Sequence, residues 1–511
     1  MIKRDGHNTS LWQANATAFT ATNSAATDEL YDVIIVGGGI TGISTGLLLQ
    51  QSGKKCLIIE SANICFGTTG GTTAHLNTLL DTPYSVIEQK FGKENAKLVA
   101  TAAREALELI KNNIAALKIE CGYKDAGAFL FAQDEKQVEE LEKIKDASEN
   151  AGLDIQYSDQ IPVPSSFLKA VKVNGQARFN PVQYVYALAD AYEALGGVIL
   201  QHCRVTGAEN NEVVNVETEK GSYKAVDLIY ASHIPPGVNL LHLRCIPYRS
   251  YAMALTLADN NYPRDLCYDM VDPYHYYRTQ EIDGQRYLIA GGKDHKTAHE
   301  ENEEASFLSL ESHLRKMFNI AGIRYKWSSQ YFEPADGLPY IGHLPGNPEH
   351  IYVATGYGGN GMTYSTVAAI TLSALICNKK TQYEKLFDPN RLKPVAGFTD
   401  FIKHNADAVR QFFGKLFSGE KLEELAALAH GEAKLVVFEN QKIGLYKNEE
   451  GRLFGVNPSC THLGCEVKWN NAEKSWDCPC HGARYHYTGK VLNGPADRDL
   501  EPVAVEFLIE S

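Results

Sequence analysis

Two short segments near the C-terminal end carry four side chains that can bind metal at fixed offsets. One residue separates Cys460 from His462, and two residues separate Cys478 from His481. Each segment can therefore present one sulfur and one nitrogen from the same loop. Two thiolates and two imidazoles can hold a 2Fe-2S cluster, with sulfur on one iron and nitrogen on the other, or they can hold a zinc ion.

The sequence around these four residues resembles the Rieske family of iron-sulfur domains, over roughly residues 430 to 511. Within that family it is most similar to the cytochrome bc type, which carries an additional cysteine pair. The resemblance implies that the four residues are the ligands of a Rieske 2Fe-2S cluster. It also implies a disulfide between Cys465 and Cys480 that joins the two loops, and a covering loop at residues 494–496.

One position departs from the family pattern and bears on the reduction potential. High-potential members have a serine two residues after the second histidine ligand, and this serine donates a hydrogen bond to cluster sulfur. This chain has Ala483 there, whereas Tyr485 keeps the second donor. The reduced cluster is then less stabilised, so we predict a potential below that of the high-potential respiratory proteins.

A glycine-rich turn near the other end of the chain has the spacing of a dinucleotide site. An apolar run ends at Gly37, and Gly39 and Gly42 complete the pattern G-x-G-x-x-G where a helix is predicted to begin. The turn lets backbone N–H groups meet a pyrophosphate, and Gly42 lets the helix lie close to the strand. Glu60 ends a second predicted strand and is placed to accept hydrogen bonds from ribose hydroxyls.

Four further segments distinguish FAD from NAD. Residues 66–75 form a loop rich in glycine and hydroxyl groups, and residues 227–232, 336–342 and 352–362 follow in order. Together these segments resemble the D-amino acid oxidase and glycine oxidase superfamily of FAD proteins over roughly residues 30 to 390. The resemblance implies bound FAD and a helix whose N-terminus points at the flavin pyrimidine. The residues predicted to bind FAD are Gly37, Gly39, Ile40, Thr41, Gly42, Glu60, Ser61, Gly67, Thr68, Thr69, Thr72, Thr73, Ala74, His75, Val205, Ala231, Ser232, Gly337, Gly356, Gly358, Gly359, Asn360, Gly361 and Met362.

His75 has two interpretations. Some superfamily members that oxidise N-methyl groups bond FAD covalently through a histidine in a similar setting, and residues 71–75 match it. The alternative is a histidine that lines the cofactor pocket without a covalent bond.

The substrate pocket is expected to lie against strands between residues 246 and 289, where apolar and polar residues alternate. This stretch is rich in tyrosine, and the candidate catalytic residues are Tyr248, Arg249, Tyr277 and Arg278. Related amino-acid oxidases have an arginine before the proline that precedes the Asp-Gly-x-Pro segment, and this chain has Glu333 there. The pocket then favours a cationic amine, or it finds a carboxylate partner in one of the two arginines.

These features predict an α/β plus β protein with a Rossmann-like FAD-binding domain, an α+β substrate subdomain and a small all-β Rieske domain. Residues 13–27 predict a loosely ordered arm, and residues 397–418 predict an amphipathic helix. That helix is expected to pack on the flavin domain, with a membrane surface as the alternative. The predicted units are an arm at 1–29, the oxidoreductase domain at 30–395 with subdomain insertions at about 84–150 and 246–289, a helical linker at 396–429 and the Rieske domain at 430–511.

Composition restricts the partners. The chain has 511 residues and a formal net charge of −13, which argues against nucleic acid or anionic lipid as a partner. No stretch reaches the roughly 18 uninterrupted apolar residues of a membrane span, and no secretory signal is evident, so a cytoplasmic location is expected. Seven of the eleven cysteines lie outside the Rieske loops without paired spacing, as expected of reduced thiols.

A flavin and a 2Fe-2S cluster in one chain predict that electrons pass between them. Our first hypothesis is an FAD-dependent amine dehydrogenase or oxidase, in which flavin oxidises the C–N bond of an amine or amino-acid-like substrate. The cluster then passes single electrons to an external redox partner. One alternative reverses the flow, with a reductase loading the flavin through the cluster for reduction of substrate or oxygen. The other is a non-enzymatic redox sensor or electron carrier.

Overall fold

The computed structural model describes residues 4–210, 212–391, 420–421, 428–438 and 441–505. The helices in these ranges are α1 (Leu11–Ala14), α2 (Ile40–Gln51), α3 (Thr68–Gly71), α4 (Tyr84–Phe91), α5 (Lys93–Ala116), α6 (Glu135–Asn150), α7 (Pro181–Ala194), α8 (Glu303–Met317), α9 (Gly361–Ile376) and α10 (Glu384–Phe387), with a 3-10 helix at Leu240–Leu243.

The nucleotide-binding half is built on a sheet whose central strands are parallel. Its order is β16-β17-β10-β1-β2-β7, with the β8–β9 hairpin attached to β10. β1 is almost wholly apolar and is buried from Val33 onward, with α2 packed against it and against α7 and α9. The strands are β1 (Leu30–Val36), β2 (Cys56–Ile59), β7 (Val198–Leu200), β8 (Val205–Asn210), β9 (Val214–Thr218), β10 (Gly221–Tyr230), β16 (Tyr340–His343) and β17 (Ile351–Thr355).

The second sheet belongs to the substrate subdomain and has the order β15-β11-β14-β13-β12-β4-β6-β3, with β5 paired to β6. The helices predicted in the first insertion and the strands predicted in the second are both present. The strands are β3 (His75–Leu76), β4 (Lys124–Ala132), β5 (Ile155–Tyr157), β6 (Lys169–Arg178), β11 (Cys245–Leu257), β12 (Leu266–Asp269), β13 (Tyr276–Ile282), β14 (Gln285–Lys296) and β15 (Ile320–Pro334).

The C-terminal part consists of two small sheets, as expected of an all-β domain. One has the order β18-β19-β20-β21-β26, and the other is a four-stranded meander from β22 to β25 that positions the two cysteine-histidine loops. The strands are β18 (Glu420–Lys421), β19 (Ala433–Phe438), β20 (Gln441–Lys447), β21 (Leu453–Val456), β22 (Lys468–Asn470), β23 (Ser475–Asp477), β24 (Arg484–His486), β25 (Val491–Asn493) and β26 (Pro502–Val503).

The N-terminal arm is packed against the flavin half, in contrast to the loosely ordered segment that its composition indicates. Trp12 is fully buried, and the Glu193 carboxylate accepts hydrogen bonds from the backbone N–H groups of Thr22 and Asn23. Short polar side chains are compatible with order here because a buried carboxylate satisfies the arm's backbone donors.

A network of buried charges joins the arm, the substrate sheet and the Rieske domain. Arg4 lies 3.4 Å from Glu473, and Arg249 lies 3.5 Å from Asp477. Arg484 pairs with Asp477 at 3.2 Å and with an arm carboxylate at 3.3 Å. The six members are Arg4, Asp5, Arg249, Glu473, Asp477 and Arg484.

The predicted amphipathic helix at 397–418 lies outside the described residues, so its placement stays a prediction. Among the helices that the structure describes, none combines the length and the apolar character needed to cross a membrane.

Candidate functional site

A cavity of 270 Å³ opens between the nucleotide sheet and the substrate sheet. It begins where β1 and β2 end, runs along the loop before β3 and reaches the N-terminus of α9. Twenty of the residues predicted to bind FAD line it: Gly37, Gly39, Ile40, Thr41, Glu60, Ser61, Gly67, Thr68, Thr69, Thr72, Thr73, His75, Val205, Ala231, Ser232, Gly358, Gly359, Asn360, Gly361 and Met362.

Four predicted FAD residues do not line the cavity, and one of them shapes the turn. A Cβ atom on Gly42 would lie 1.9 Å from the Gly37 carbonyl oxygen, so only glycine lets α2 approach the strand this closely. Gly37 itself has a φ of +117°. The four are Gly42, Ala74, Gly337 and Gly356.

The cavity fits FAD at both of its ends. The Glu60 carboxylate accepts hydrogen bonds from the N–H groups of Gly38 at 2.7 Å and Ala62 at 2.8 Å, which fixes it at the cavity edge. At the other end, a Cβ atom on Gly361 would meet nothing within 4 Å, so open space adjoins the first residue of α9. The N-terminus of this sixteen-residue helix carries a partial positive charge toward that space.

His75 lies in the cavity wall with one ring nitrogen engaged. Asn77 donates a hydrogen bond to the Tyr268 hydroxyl at 2.8 Å, and this hydroxyl lies 2.6 Å from His75 Nδ1. His75 Nε2 is buried and has no hydrogen-bond partner among the described residues. Burial, followed by the nearby cations Arg278 and Arg178, lowers the pKa of this imidazole, so it is neutral at pH 7.

The cavity ends in carboxylates and tyrosines. The Asp294 carboxylate accepts hydrogen bonds from the hydroxyls of Ser250 at 2.5 Å and Tyr331 at 2.9 Å. Burial raises the pKa of Asp294 to about 6, although these hydrogen bonds oppose the shift. Asp81 accepts from the Gly359 N–H at 2.7 Å and from the Tyr274 hydroxyl at 3.2 Å.

Glu333 lies near these two carboxylates but does not line the cavity. Burial first, and then the charges of Asp81 and Asp294, raise the pKa of Glu333 to about 7. Within the described part of the chain, the only Lys or Arg side chain that lines the cavity is Arg204, which donates to the Val491 carbonyl at 2.9 Å. This end of the cavity is therefore acidic.

The four candidate catalytic residues all lie outside the cavity lining. The guanidinium groups of Arg249 and Arg278 are already bound, the former by Ser328 and Asp477 and the latter by backbone carbonyls that include Thr73. Neither is available to bind a substrate carboxylate. Tyr277 faces the opposite side of its strand and bonds His313 at 2.7 Å, and Tyr248 stacks on Tyr331, its partner on the neighbouring strand.

The two cysteine-histidine loops meet in the Rieske domain. The Cys460 sulfur lies 3.2 Å from the Tyr485 hydroxyl, and a hydrogen bond from Cys478 lowers the pKa of the Cys460 thiol to about 6. The disulfide between Cys465 and Cys480 joins the loops. A pair of adjacent buried sulfurs, one of them already inclined to the thiolate form, fits iron ligation.

The two histidines leave the correct nitrogens for iron. His462 Nε2 lies 3.1 Å from the Gly237 carbonyl oxygen, which can only accept, so Nε2 carries the proton and Nδ1 is free to ligate. His481 Nδ1 is buried without a hydrogen-bond partner among the described residues. The donor set therefore fits a Rieske cluster.

The two halves share a wall of the cavity. Leu492, Asn493 and Gly494 of the Rieske domain line it together with the flavin-half segment that begins at Ala231. The Gln330 amide also donates to the Gly482 carbonyl at 2.8 Å, which ties the substrate sheet to the second ligand loop.

Comparison with known proteins agrees with this architecture. Residues 32–375 match the family described as FAD dependent oxidoreductase. The chain belongs to that family. Residues 421–504 match the Rieske [2Fe-2S] domain, so this FAD-dependent oxidoreductase also has a Rieske domain and the cofactors are FAD and a 2Fe-2S cluster.

Three similar proteins cover different parts of this FAD-dependent oxidoreductase. The putative Rieske 2Fe-2S iron-sulfur protein YhfW of Bacillus subtilis is 32% identical and covers 94% of each chain. The gamma-glutamylputrescine oxidoreductase of Escherichia coli is 25% identical over 72% of this chain and 89% of its own. The crystal structure of glycine oxidase from Geobacillus kaustophilus superposes with a TM-score of 0.61 at 18% identity, over 71% of this chain and 99% of that one.

Several cavity residues of this oxidoreductase had no sequence signal. Asp81 follows no motif, and Asp294 lies beyond residue 289, where the region predicted to form strands ended. The alternation of side chains along a strand is the one signal that could have helped. Ser250 and Ala252 line the cavity, whereas Arg249, the residue before Ser250, faces the other side of the sheet.

Proposed function

We propose that this chain oxidises the C–N bond of a cationic amine and passes the electrons through its own Rieske cluster to an external one-electron acceptor. The observation that carries the proposal is the shared cavity wall, to which residues 231–234 and 492–494 both contribute. When bound, FAD accepts two electrons as a hydride, whereas a 2Fe-2S cluster carries one electron at a time.

Each cofactor has a defined set of proposed contacts in the chain. The glycine turn and Glu60 would hold the pyrophosphate and ribose of FAD, and the N-terminus of α9 would face the flavin. The 2Fe-2S cluster would be held by Cys460, His462, Cys478 and His481.

His75 would line the flavin site without a covalent bond, with Nδ1 held by Tyr268, and Nε2 is the nitrogen through which the covalent alternative would form. Acid denaturation tests this assignment. Flavin released into solution is expected, and flavin retained by the precipitated protein would establish the covalent alternative.

The acidic end of the cavity supports a cationic amine as substrate. The carboxylates of Asp81 and Asp294 attract an ammonium group, and the ring faces of Tyr274 and Tyr276 can contact it. Among the described residues that line this end of the cavity, no Lys or Arg would hold a substrate carboxylate. The name of the Escherichia coli relative also supports a substrate of the amine class.

Asp294 can also accept the proton that the substrate ammonium group must lose. An amine must be neutral before its carbon can lose hydride, so the ammonium proton has to leave first. The pKa of Asp294, raised by burial to about 6, brings this carboxylate closer to the range in which it can accept that proton. Ser250 and Tyr331 hold the acceptor in place.

Rapid mixing of the oxidised holoprotein with a panel of amines and free α-amino acids tests the proposal. Flavin bleaching by cationic amines, followed by the spectral signature of the reduced cluster, is the expected result. Bleaching only when an external reductase is added would support the reverse direction of electron flow. No response to either would favour a sensor or carrier, and bleaching by free α-amino acids alone would contradict the cationic-amine assignment.

A further inference from the structure

One short segment of the flavin half reaches from the cavity to the histidine ligands. It leaves β10 at Ala231 and ends in the 3-10 helix at Leu240–Leu243. Its first part, including Ser232, His233, Ile234 and Pro236, lines the cavity. Its second part lies against the Rieske domain.

Gly237 both accepts a hydrogen bond from the Rieske domain and donates one to it. Its carbonyl oxygen lies 3.1 Å from His462 Nε2, and its N–H donates to the Pro495 carbonyl at 3.2 Å. Gly237 has a φ of +72°, a left-handed conformation that favours glycine and that presents both backbone groups to the same neighbour.

His242 lies behind this contact and is not a metal ligand. Its Nδ1 accepts from the Asn239 N–H at 3.3 Å, so its Nε2 carries a proton and donates to the Pro235 carbonyl at 2.8 Å. Both nitrogens are thereby used within the segment, and the side chain is only 5% exposed. The ring therefore has one fixed orientation.

That ring touches both histidine ligands. The His242 and His462 centroids lie 4.8 Å apart with the rings nearly perpendicular, and the His242 and His481 centroids lie 6.1 Å apart. The two ligand rings are themselves 5.1 Å apart. His242 thus completes a cluster of three imidazoles at the boundary of the two halves.

We propose that His242 is a positioning residue that sets the orientation of both imidazole ligands, and that residues 231–242 connect the flavin cavity to the cluster. This inference rests on the proposed function, because it assumes the ligand set and the electron flow given there. A ligand ring held at a fixed angle, with its outer nitrogen bonded to Gly237, keeps both the cluster potential and the electronic contact with the cavity constant.

Two variants of the holoprotein separate packing from hydrogen bonding. His242→Phe keeps a ring in the space but loses both hydrogen bonds, and His242→Ala loses the ring as well. We expect altered g values in the electron paramagnetic resonance spectrum of the dithionite-reduced cluster and a shifted midpoint potential. Both changes should be larger in His242→Ala than in His242→Phe. Electron transfer from substrate-reduced flavin to cluster is expected to slow by about tenfold.

Leu243→Ala is the matched control, because Leu243 belongs to the same 3-10 helix but is 50% exposed. Its g values, potential and transfer rate should equal those of the wild type. The inference is overturned if both His242 variants hold a full cluster with wild-type g values and potential. That outcome is distinct from failure of the proposed function, in which the wild-type cluster is absent or is not reduced by any amine.

Discussion

Ala483 and Tyr485 are the residues through which this chain can adjust its cluster potential. Ala483 is fully buried, two residues after His481, and the Tyr485 hydroxyl lies 3.2 Å from the Cys460 sulfur. Ala483→Ser would add a donor toward the reduced cluster. A hydrogen bond to a charged acceptor stabilises it by about 1.5–3 kcal/mol, equivalent to about 65–130 mV for one electron, so we expect the potential to rise by that amount.

Protein-film voltammetry measures this change, and Tyr485→Phe provides the matched opposite variant. Removing the phenol hydroxyl should lower the potential, while the ring continues to fill its buried site. A wild-type potential equal to that of the high-potential respiratory proteins would contradict the role given to Ala483.

Asp294 is expected to control the binding of a cationic amine. Asp294→Asn removes the charge and keeps the size, and loss of a charged hydrogen bond worth about 1.5–3 kcal/mol should raise KM by about 10- to 150-fold. Because burial raises the pKa of Asp294 to about 6, affinity in the wild type should fall as the pH drops below that value. Neutral Asp294 cannot attract an ammonium group.

Steady-state kinetics between pH 5 and 9 provide the measurement. Asp283→Asn is the control, since Asp283 lies at the turn between β13 and β14 of the same sheet and is exposed. It should leave KM and its pH dependence unchanged. An acidic limb that persists unchanged in Asp294→Asn would assign the titration to another group.

At the scale of elements, the close approach of α2 to the end of β1 is essential for the flavin site. Gly42→Ala places a Cβ atom 1.9 Å from the Gly37 carbonyl, and overpacking against backbone costs about 3 kcal/mol or more. We expect purified protein with little bound flavin, measured as the ratio of flavin to protein absorbance. Gly207→Ala in β8, where the nearest atom is 3.4 Å away, should retain it. Full flavin content in Gly42→Ala would show that the turn can relax.

The elements that could be predicted are those whose signal is local. The strand before Gly37, the turn, the helix that starts at Gly361 and the two ligand loops each follow from consecutive residues, and the structure has them at those places. Asp81 reaches the site only because the N-terminus of α9 comes to it from 278 residues away, a contact that no periodicity encodes.

The tyrosine-rich strands show the limit most clearly. Alternation indicates strands but does not tell which face meets the flavin, and a shift of one residue exchanges the faces. Arg249 and Tyr277 are residue types that often bind substrates, and this is why they were candidates. In the structure, Arg249 faces the network of buried charges and Tyr277 faces His313.

At the scale of the whole molecule, the buried charges between Arg4 and Arg484 hold the Rieske domain against the flavin half. Burial raises the pKa of Glu473, but the guanidinium groups of Arg4, Arg249 and Arg484 outweigh it and lower the pKa to about 2. Removing one partner of such a buried pair costs about 3–5 kcal/mol. Glu473→Gln should therefore lower the free energy of unfolding by that amount at pH 7.

The pH dependence has a definite sign. A carboxylate with a depressed pKa contributes stability above its unfolded pKa of about 4.3, and this contribution is lost as the pH falls toward the folded value. The melting temperature should fall more steeply from pH 4 to pH 2 in the wild type than in Glu473→Gln. Glu94→Gln, which breaks the exposed pair with Lys97, is the control and should change stability by less than about 0.5 kcal/mol. Equal acid sensitivity in wild type and Glu473→Gln would contradict this account.

The ion pair between Arg4 and Glu473 can form only late in the synthesis of the chain. The two residues are 469 positions apart, so a ribosome making about 5–20 residues per second adds the carboxylate roughly 25–95 s after the guanidinium. Throughout that interval Arg4 lacks the carboxylate of Glu473 and can pair with the adjacent Asp5. The arm can pack on the flavin half through Trp12 and Glu193 before that time, but its ion pair with the Rieske domain can form only once the last domain has been translated.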